Sequence, residues 1–589
     1  MKKNILLSRK YFLLLSILIV GCAAFLRLYQ LDTVPPALYW EEAALGYDAY
    51  SIALTGKDHH GNAFPIVAFS SFGDYKPSGY FYLIVPFIWL LGLSEWAVRL
   101  PSALFGIATV IGVGVLARML TEKIWVGRTL PQLRLAQLVG MGVAAISPWL
   151  LQFSRGGWEV NVASSLLLWS VIVGLSAVVE QPTQRRFIKI LCCFVLAGLS
   201  MYVYHATRVI APALLVALTY WWVSPLQAFR KNGLKKLITR VKSLLLPGVI
   251  LLLIVLPILI SSRDVTTQQR FAETSITGDG QYVIESNRLR ETTGNTLLSR
   301  LFTHRYLILG HQVAVAFASH FSLDFLFLSG DLNPRHSTGY TGILSLPDAL
   351  WLVIGIVTVA SLAWREKEAR PYVFLLSWWL VVGLLPASIT KAYPHALRTL
   401  PAAPVLLVLV SLGLWQSLLW LRKTFPPKSA GVIAAGALSL IALYWLGTWR
   451  YYMKIYPVMS QADWQYGYKQ MVAKVDQLKT TYPDQEVFIT REYGRPAMYY
   501  WFYTKTSPAD VQAAEATALK DQAEFLQFEN ISFVNSVNEA KPGIVASSLK
   551  GYEQLSRDSS SVEKLDEVKD LKGNVVWVIS RVNQATPVQ

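Results

Sequence analysis

The sequence predicts a mainly α-helical, polytopic membrane protein that carries a small α/β domain at its carboxyl end. Three observations lead there. Of the 589 residues, 53% are hydrophobic and only 15% are charged, whereas soluble globular chains carry about 25% charge. Apolar runs of membrane length recur from Tyr11 to Tyr444, separated by short polar segments. From Arg450 onward the material changes, with 16 Lys or Arg against 17 Asp or Glu and short strand-like apolar runs. The expected division is therefore a membrane domain over 1–448 and a soluble domain over 449–589.

The net charge of +17 does not point to nucleic acid. The basic excess lies in short loops between apolar runs, where it sets topology and meets anionic headgroups. The tail is close to neutral. Cys22, Cys192 and Cys193 all fall within apolar runs, so neither a disulfide framework nor a zinc spacing is available.

The first apolar run spans 11–29. It is too long for a signal peptide and lacks a small-residue cleavage site, so it reads as an uncleaved helix. Lys2, Lys3, Arg9 and Lys10 precede it, which places the amino end in the cytoplasm and the first loop, 30–78, outside. Further candidate spans are 79–94, 96–118, 134–151, 158–179, 187–204, 208–223, 243–262, 348–364, 372–390, 401–421 and 430–448. The segments 118–134, 185–189, 230–242, 365–370 and 422–428 are basic and read as cytoplasmic. A long polar loop, 263–347, falls on the outer side. Parity then makes the short 79–94 run re-entrant or steeply tilted, giving eleven crossings where a plain count gives twelve. The tail emerges on the outside. Within it, 464–478, 509–528 and 547–555 are expected as helices, and 486–490, 531–534, 543–546 and 574–580 as buried strands.

The stretch 38–80 concentrates the chemistry. Glu41, Glu42, Asp48, Asp58, Asp74 and Lys76 share one loop with His59 and His60, and aromatic residues are spread among them. Residues 41–55 show apolar positions at Ala44, Leu45, Ala49, Ile52 and Ala53, suited to a helix lying on the membrane surface and ended by Gly56. Other outer junctions hold Arg155 and Glu159, His205 and Arg208, Asp331, Arg335 and His336, and His395 and Arg398. One such junction is ordinarily a snorkelling arginine or a solvated histidine. Several on one side, beside an acidic pair, suit a lipid-phosphate substrate. Arginine and lysine hold phosphate oxygens, and a carboxylate takes the proton of an acceptor hydroxyl. Lys76, Arg208, Arg335 and Arg398 are thus candidate ligands of a donor phosphate. Asp74, Tyr75, Arg155, Glu159, His205, His336 and His395 are candidate substrate-binding residues. His59, His60 and His336 show no recognisable metal-ligand spacing, so neither a metal nor another cofactor is expected.

These segments carry a family resemblance. The chain resembles bacterial members of glycosyltransferase family 39, the superfamily of protein O-mannosyltransferases and aminoarabinose transferases with the GT-C membrane fold. The resembling pieces are LYWEEAALGYDAYSIALTGKD, FGDYKPSGYFYLIVP, GLSEWAVRLPSALFG, SPWLLQFSRGGWEVN, SGDLNPRHSTGYTGILSLPDAL and PHALRTLPAAP. The resemblance implies a polyprenyl-phosphate-linked sugar donor, a hydroxyl acceptor and inverting transfer outside the cytoplasmic membrane. The family's first-loop signature is an Asp-Glu pair whose Asp is the base. Here Glu41 stands at the Asp position and Glu42 at the Glu position, so either carboxylate is a catalytic candidate. The family's Lys-Pro-Pro stands here as Lys76, Pro77 and Ser78. A transporter or flippase of lipid-linked sugars, and a non-catalytic envelope scaffold, remain the alternatives. A transporter would place its charges at mid-membrane on broken helices.

Overall fold

The computed structural model describes residues 8–71, 74–125, 127–178, 183–223, 233–261, 275–294, 296–521, 523–558 and 561–583. The chain divides into two compact units. One comprises Met1–Tyr29, Ser102–Ser154 and Trp158–Trp449; the other comprises Gln30–Pro101, Arg155–Gly157 and Arg450–Gln589. The sequence places the whole first loop in the membrane domain. In the structure, 30–101 instead belongs to the same unit as the carboxyl-terminal region.

Ten helices among the described residues are long and apolar enough to cross a membrane. An eleventh follows if Leu130–Ala145 and Pro148–Ser154, bent by 59°, count as one span. Pro148 has no N–H to continue the preceding helix, which explains the break. The chain is a multi-pass membrane protein. Gly79–Leu91 and Thr207–Val223 are apolar but shorter.

In the first unit, hydrogen bonds gather the helix ends into two groups. Arg27 Nη1 donates to the Ala145 carbonyl (3.1 Å) and Trp445 Nε1 to the Ile146 carbonyl (2.9 Å). Trp149 Nε1 donates to the Ala396 carbonyl (3.0 Å), and Ile276 N to the Ile389 carbonyl (3.0 Å). At the opposite helix ends, Arg118 Nη1 donates to Gln137 Oε1 (3.2 Å) and Trp415 Nε1 to the Gln132 carbonyl (3.0 Å). The Arg128 guanidinium lies over the Trp415 ring, and that of Arg134 over the Phe12 ring.

One expectation for this unit needs correcting. The loop 263–347 is not polar throughout, because Arg305–Leu328 also passes as a candidate span. His311, His320 and Asp324 interrupt it in the sequence and hide the apolar run. Its two flanks are nevertheless held to one place. Ile276 bonds Ile389, while the Asp331 carboxylate accepts the Ala396 N–H at 2.7 Å. A single crossing by 305–328 would separate 276 from 331 by a membrane thickness of about 30 Å. Both flanks of the segment therefore lie beside the 389–396 turn.

The second unit holds a six-stranded sheet in the order Gln527–Phe528, Ile531–Val534, Val487–Thr490, Gly543–Ser547, Val575–Val582, Val562–Lys569. The three strands centred on Val487–Thr490 run parallel and the outer pairings are antiparallel. Val487, Ile489, Ile544, Val545, Ala546, Val578 and Ile579 are fully buried, as continuous apolar central strands should be. The helix Tyr468–Thr481 presents Met471, Val472 and Val475 as its buried stripe.

Two expectations fail here. The predicted helix over 509–528 stops at Ala514, and the chain turns into short strands that bury Glu524, Phe525 and Phe528. The first-loop helix, Trp40–Thr55, ends at Gly56 in a left-handed conformation as expected, but it does not lie with one face on lipid. It is buried almost all round. A Cβ on Gly46 would meet Phe502 at 2.5 Å and Val98 at 2.6 Å. Small residues let the backbone press against the helix Pro496–Thr504, and an apolar stripe does not distinguish a protein partner from headgroups.

Candidate active site

The second unit positions the acidic pair of the first loop. Glu41 and Glu42 occupy the first turn of Trp40–Thr55. Adjacent helical side chains point about 100° apart, and here they meet opposite environments. Glu42 is fully buried. Its Oε1 accepts from Arg99 Nε (2.9 Å) and Gly157 N (2.7 Å), and its Oε2 from Arg99 Nη2 (3.0 Å). Arg99 spends its remaining N–H groups on the carbonyls of Leu31, Pro35 and Ala37. All five guanidinium donors are used. This bidentate pair pins the turn 31–37 to the helix.

Glu41 is different. Its side chain is 37% exposed, and its Oε2 accepts from the Tyr39 hydroxyl (3.0 Å) and pairs with Lys76 Nζ (2.9 Å). Lys76 comes from the strand Asp74–Pro77, which forms a hairpin with Ala68–Ser71 that sets Lys76 opposite Phe69. The Lys76 side chain is buried, at 5% exposed. Tyr75 is half-buried beside it, and Asp74 begins the same strand. Burial lowers the pKa of Arg495, and the nearby charges of Glu524 and Glu41 oppose that. Arg495 therefore adds a second cation near Glu41. Arg155, expected at the substrate, is instead buried. Its Nε and Nη2 bond the Val34 carbonyl (3.2 and 2.8 Å), Nη2 also bonds Gln30 (3.1 Å), and the guanidinium lies over the Tyr452 ring. Burial lowers its pKa. It holds the turn that Arg99 also holds.

Farther along the first loop, His59 Nδ1 meets the buried Asp48 carboxylate at 2.7 Å and His60 Nδ1 meets Glu515 at 2.8 Å. Burial lowers the His59 pKa, but the Asp48 charge and hydrogen bond outweigh it and raise the value overall. Both histidines thus have carboxylate partners within this unit.

The first unit assembles a separate polar cluster. Asp331 Oδ2 lies 3.2 Å from His336 Nδ1 and 3.6 Å from His395 Nδ1. The two imidazole rings stack with centroids 4.9 Å apart, and the His336 ring also packs against Trp158 and Phe153. Burial pushes the Asp331 carboxyl up, but the His336 hydrogen bond and the two histidines hold it below its ordinary value. Burial, with His336 and Arg398, holds His395 well below the usual imidazole range. Arg398 Nη1 donates to Thr390 Oγ1 (2.7 Å). The Arg335 carbonyl accepts from Gln152 Nε2 (2.7 Å), fixing its loop. Elsewhere in this unit Glu159 opens the helix Glu159–Val178, and half-buried His205 and Arg208 flank the start of Thr207–Val223. Arg208 Nε bonds the Met201 carbonyl at 3.3 Å.

Sequence reasoning missed Arg99, Arg495 and the pairing of Asp331 with His395. Arg99 sits in an apolar segment where it reads as a headgroup contact, and the available signal was its place near the start of the long helix Glu95–Ile124. No local pattern links Asp331 to His395.

No protein-family model matches the sequence, and neither does any curated protein. The fold does match solved structures. One is ArnT from Cupriavidus metallidurans bound to undecaprenyl phosphate, which is 16% identical with a TM-score of 0.51 over 98% of this chain and 99% of that one. Another is the archaeal oligosaccharyltransferase AglB from Archaeoglobus fulgidus, in complex with an inhibitory peptide and a dolichol-phosphate. It is 14% identical, with a TM-score of 0.45 over 84% of this chain and 63% of that one. The chain has the GT-C membrane fold that its sequence resemblance implied.

Proposed function

We propose that this protein is a membrane glycosyltransferase that moves a sugar from a polyprenyl-phosphate donor to a hydroxyl acceptor, at the outer side of the cytoplasmic membrane and with inversion. One observation carries the reading: of two adjacent glutamates, one is locked in a buried bidentate pair and the other stands at the surface against a lysine. The full-length likeness to ArnT, solved with undecaprenyl phosphate, supports the choice of donor class.

The step is a single displacement. The acceptor oxygen forms its bond to the anomeric carbon as the bond from that carbon to the phosphate oxygen breaks. Glu41 takes the hydroxyl proton. The electron pair leaves on the phosphate, where Lys76 stabilises the developing charge. In the resting protein the Lys76 ammonium rests on Glu41; phosphate binding draws it away and leaves the carboxylate to act as base. Glu42, Arg99 and Arg155 keep the helix and turn in place.

The test is consumption of radiolabelled polyprenyl-phosphate sugar by purified protein. Lys76→Ala is expected to weaken donor use tens- to thousands-fold, the equivalent of about 2–5 kcal/mol for losing one partner of a desolvated charged contact. Donor left intact by a well-folded wild-type protein, across candidate sugars and acceptors, would overturn the proposal.

A further inference from the structure

We infer that Asp331, His336 and His395 form a binding site for one divalent first-row transition-metal ion, tetrahedral in the manner of zinc and with an open fourth position. The site stands independently of the proposed transfer reaction.

The geometry is that of a ligand set. Two atoms bound at about 2.1 Å to a tetrahedral ion lie about 3.4 Å apart. Asp331 Oδ2 stands 3.2 Å from one Nδ1 and 3.6 Å from the other, and the three ligand atoms all lie within 4.8 Å of one another. The longer of these contacts exceeds a hydrogen bond. His395 Nδ1 is buried and makes no hydrogen bond, which is unfavourable for a polar atom unless something binds there. A plain Asp–His ion pair does not account for the arrangement. It would satisfy one imidazole and leave the other orphaned, or bring two stacked imidazolium ions face to face.

The ligands are also held in place before any ion arrives. Asp331 Oδ1 accepts from Asn333 N (2.9 Å) and Oδ2 from Ala396 N (2.7 Å). The His395 backbone N–H donates to His320 Nε2 (3.3 Å), whose Nδ1 meets the Ala316 carbonyl (2.7 Å). Trp158 and Phe153 wall the His336 ring. Such supporting contacts are what orient metal ligands. Three protein ligands leave one tetrahedral position for water or an anionic oxygen.

The test uses full-length, detergent-solubilised protein without a polyhistidine tag, stripped with chelator and titrated with Co²⁺. One equivalent is expected, with the intense visible bands of tetrahedral cobalt, displaced by Zn²⁺. Elemental analysis after desalting should give the same stoichiometry, and the ion should raise the melting temperature. His336→Gln and His395→Gln should each weaken binding at least about tenfold and lose the thermal shift. Wild-type protein that binds no cobalt, or binds it without tetrahedral bands, overturns the inference. So does an undiminished equivalent in the double variant, which would place the ion elsewhere. Should the variants fail to fold, the wild-type stoichiometry, spectrum and thermal shift decide alone.

Discussion

Glu41 and Glu42 differ by one position, and that single step around the helix sends one carboxylate to Arg99 and the other to Lys76. The two should respond oppositely to the same isosteric change. Glu41→Gln keeps the size of the side chain but cannot take a proton, so turnover should fall by about 10²–10⁴-fold, the usual worth of general-base catalysis. Its melting temperature and donor affinity should stay near wild type. Glu42→Gln leaves the Arg99 charge buried and uncompensated, which costs about 3–5 kcal/mol. It should show first as a lowered melting temperature. Activity assays and thermal melts on both variants check this, and a stable, inactive Glu42→Gln beside an active Glu41→Gln would transfer the base to Glu42. The divergence of the two side chains was legible from their adjacency alone. The partner that captures Glu42 was not, because Arg99 lies in a separate apolar segment and only tertiary folding brings it back. Asp331 and His395 illustrate the same limit: one follows an apolar stretch and the other precedes one, and nothing local relates them.

At the scale of elements, continuous β-branched runs were enough to locate the strands Val487–Thr490, Ile531–Val534 and Gly543–Ser547, since a buried parallel strand must be apolar on both faces. Val562–Lys569 was invisible for the opposite reason: it is an edge strand, and its charges are what edges carry to avoid further pairing. The failed helix over 509–528 is the more instructive case. Its Ala, Gln and Glu content favours helix, but pairing and burial of Phe525 and Phe528 outweigh propensity and carry Glu524 inside with them. Glu524 pairs with Arg491 at 3.1 Å, yet burial prevails and pushes its carboxyl up to about 7. A carboxyl whose folded pKa lies above its unfolded value of about 4.3 binds more protons when folded. The stability it supports is fully present below that unfolded value and is lost as pH rises through 7. The loss amounts to about 4 kcal/mol. Glu524→Gln should therefore raise the melting temperature at pH 8 relative to wild type and shrink the difference between pH 8 and pH 5. Parallel pH–melt series on the two proteins measure it, and identical slopes would mean that Glu524 is charged and fully compensated by Arg491.

For the whole molecule, the distribution of charge and the hydrogen bonds between helix ends bear on one question, which is the side of the membrane each loop occupies. Arg118, Arg128 and Arg134 gather at one set of ends, and the sequence carries further basic residues between spans at Arg185, Arg186, Lys189 and Lys367. The positive-inside tendency predicts that this set faces the cytoplasm. The opposite set carries 276, 331 and 389–396, joined by the bonds from Ile276 to Ile389 and from Ala396 to Asp331. Single cysteines in a chain whose Cys22, Cys192 and Cys193 are replaced by alanine test this directly. Cysteines at Asp279, Leu332 and Lys391 should all react with an impermeant thiol reagent in intact cells or spheroplasts. Those at Thr129 and Lys367 should react only after permeabilisation. Lys57 and Lys572 should label with the first group, because the proposed chemistry needs the first loop on the side of the lipid-linked donor. The pair 279 and 332 is the sharpest part. An apolar segment long enough to cross lies between them, and by composition alone they belong on opposite sides. The hydrogen bonds require the same side, since about 30 Å of hydrocarbon cannot separate two residues that both reach the 389–396 turn. Labelling of one without the other would make 305–328 a true crossing. The Asp331–Ala396 contact would then break, and the cluster of Asp331, His336 and His395 with it.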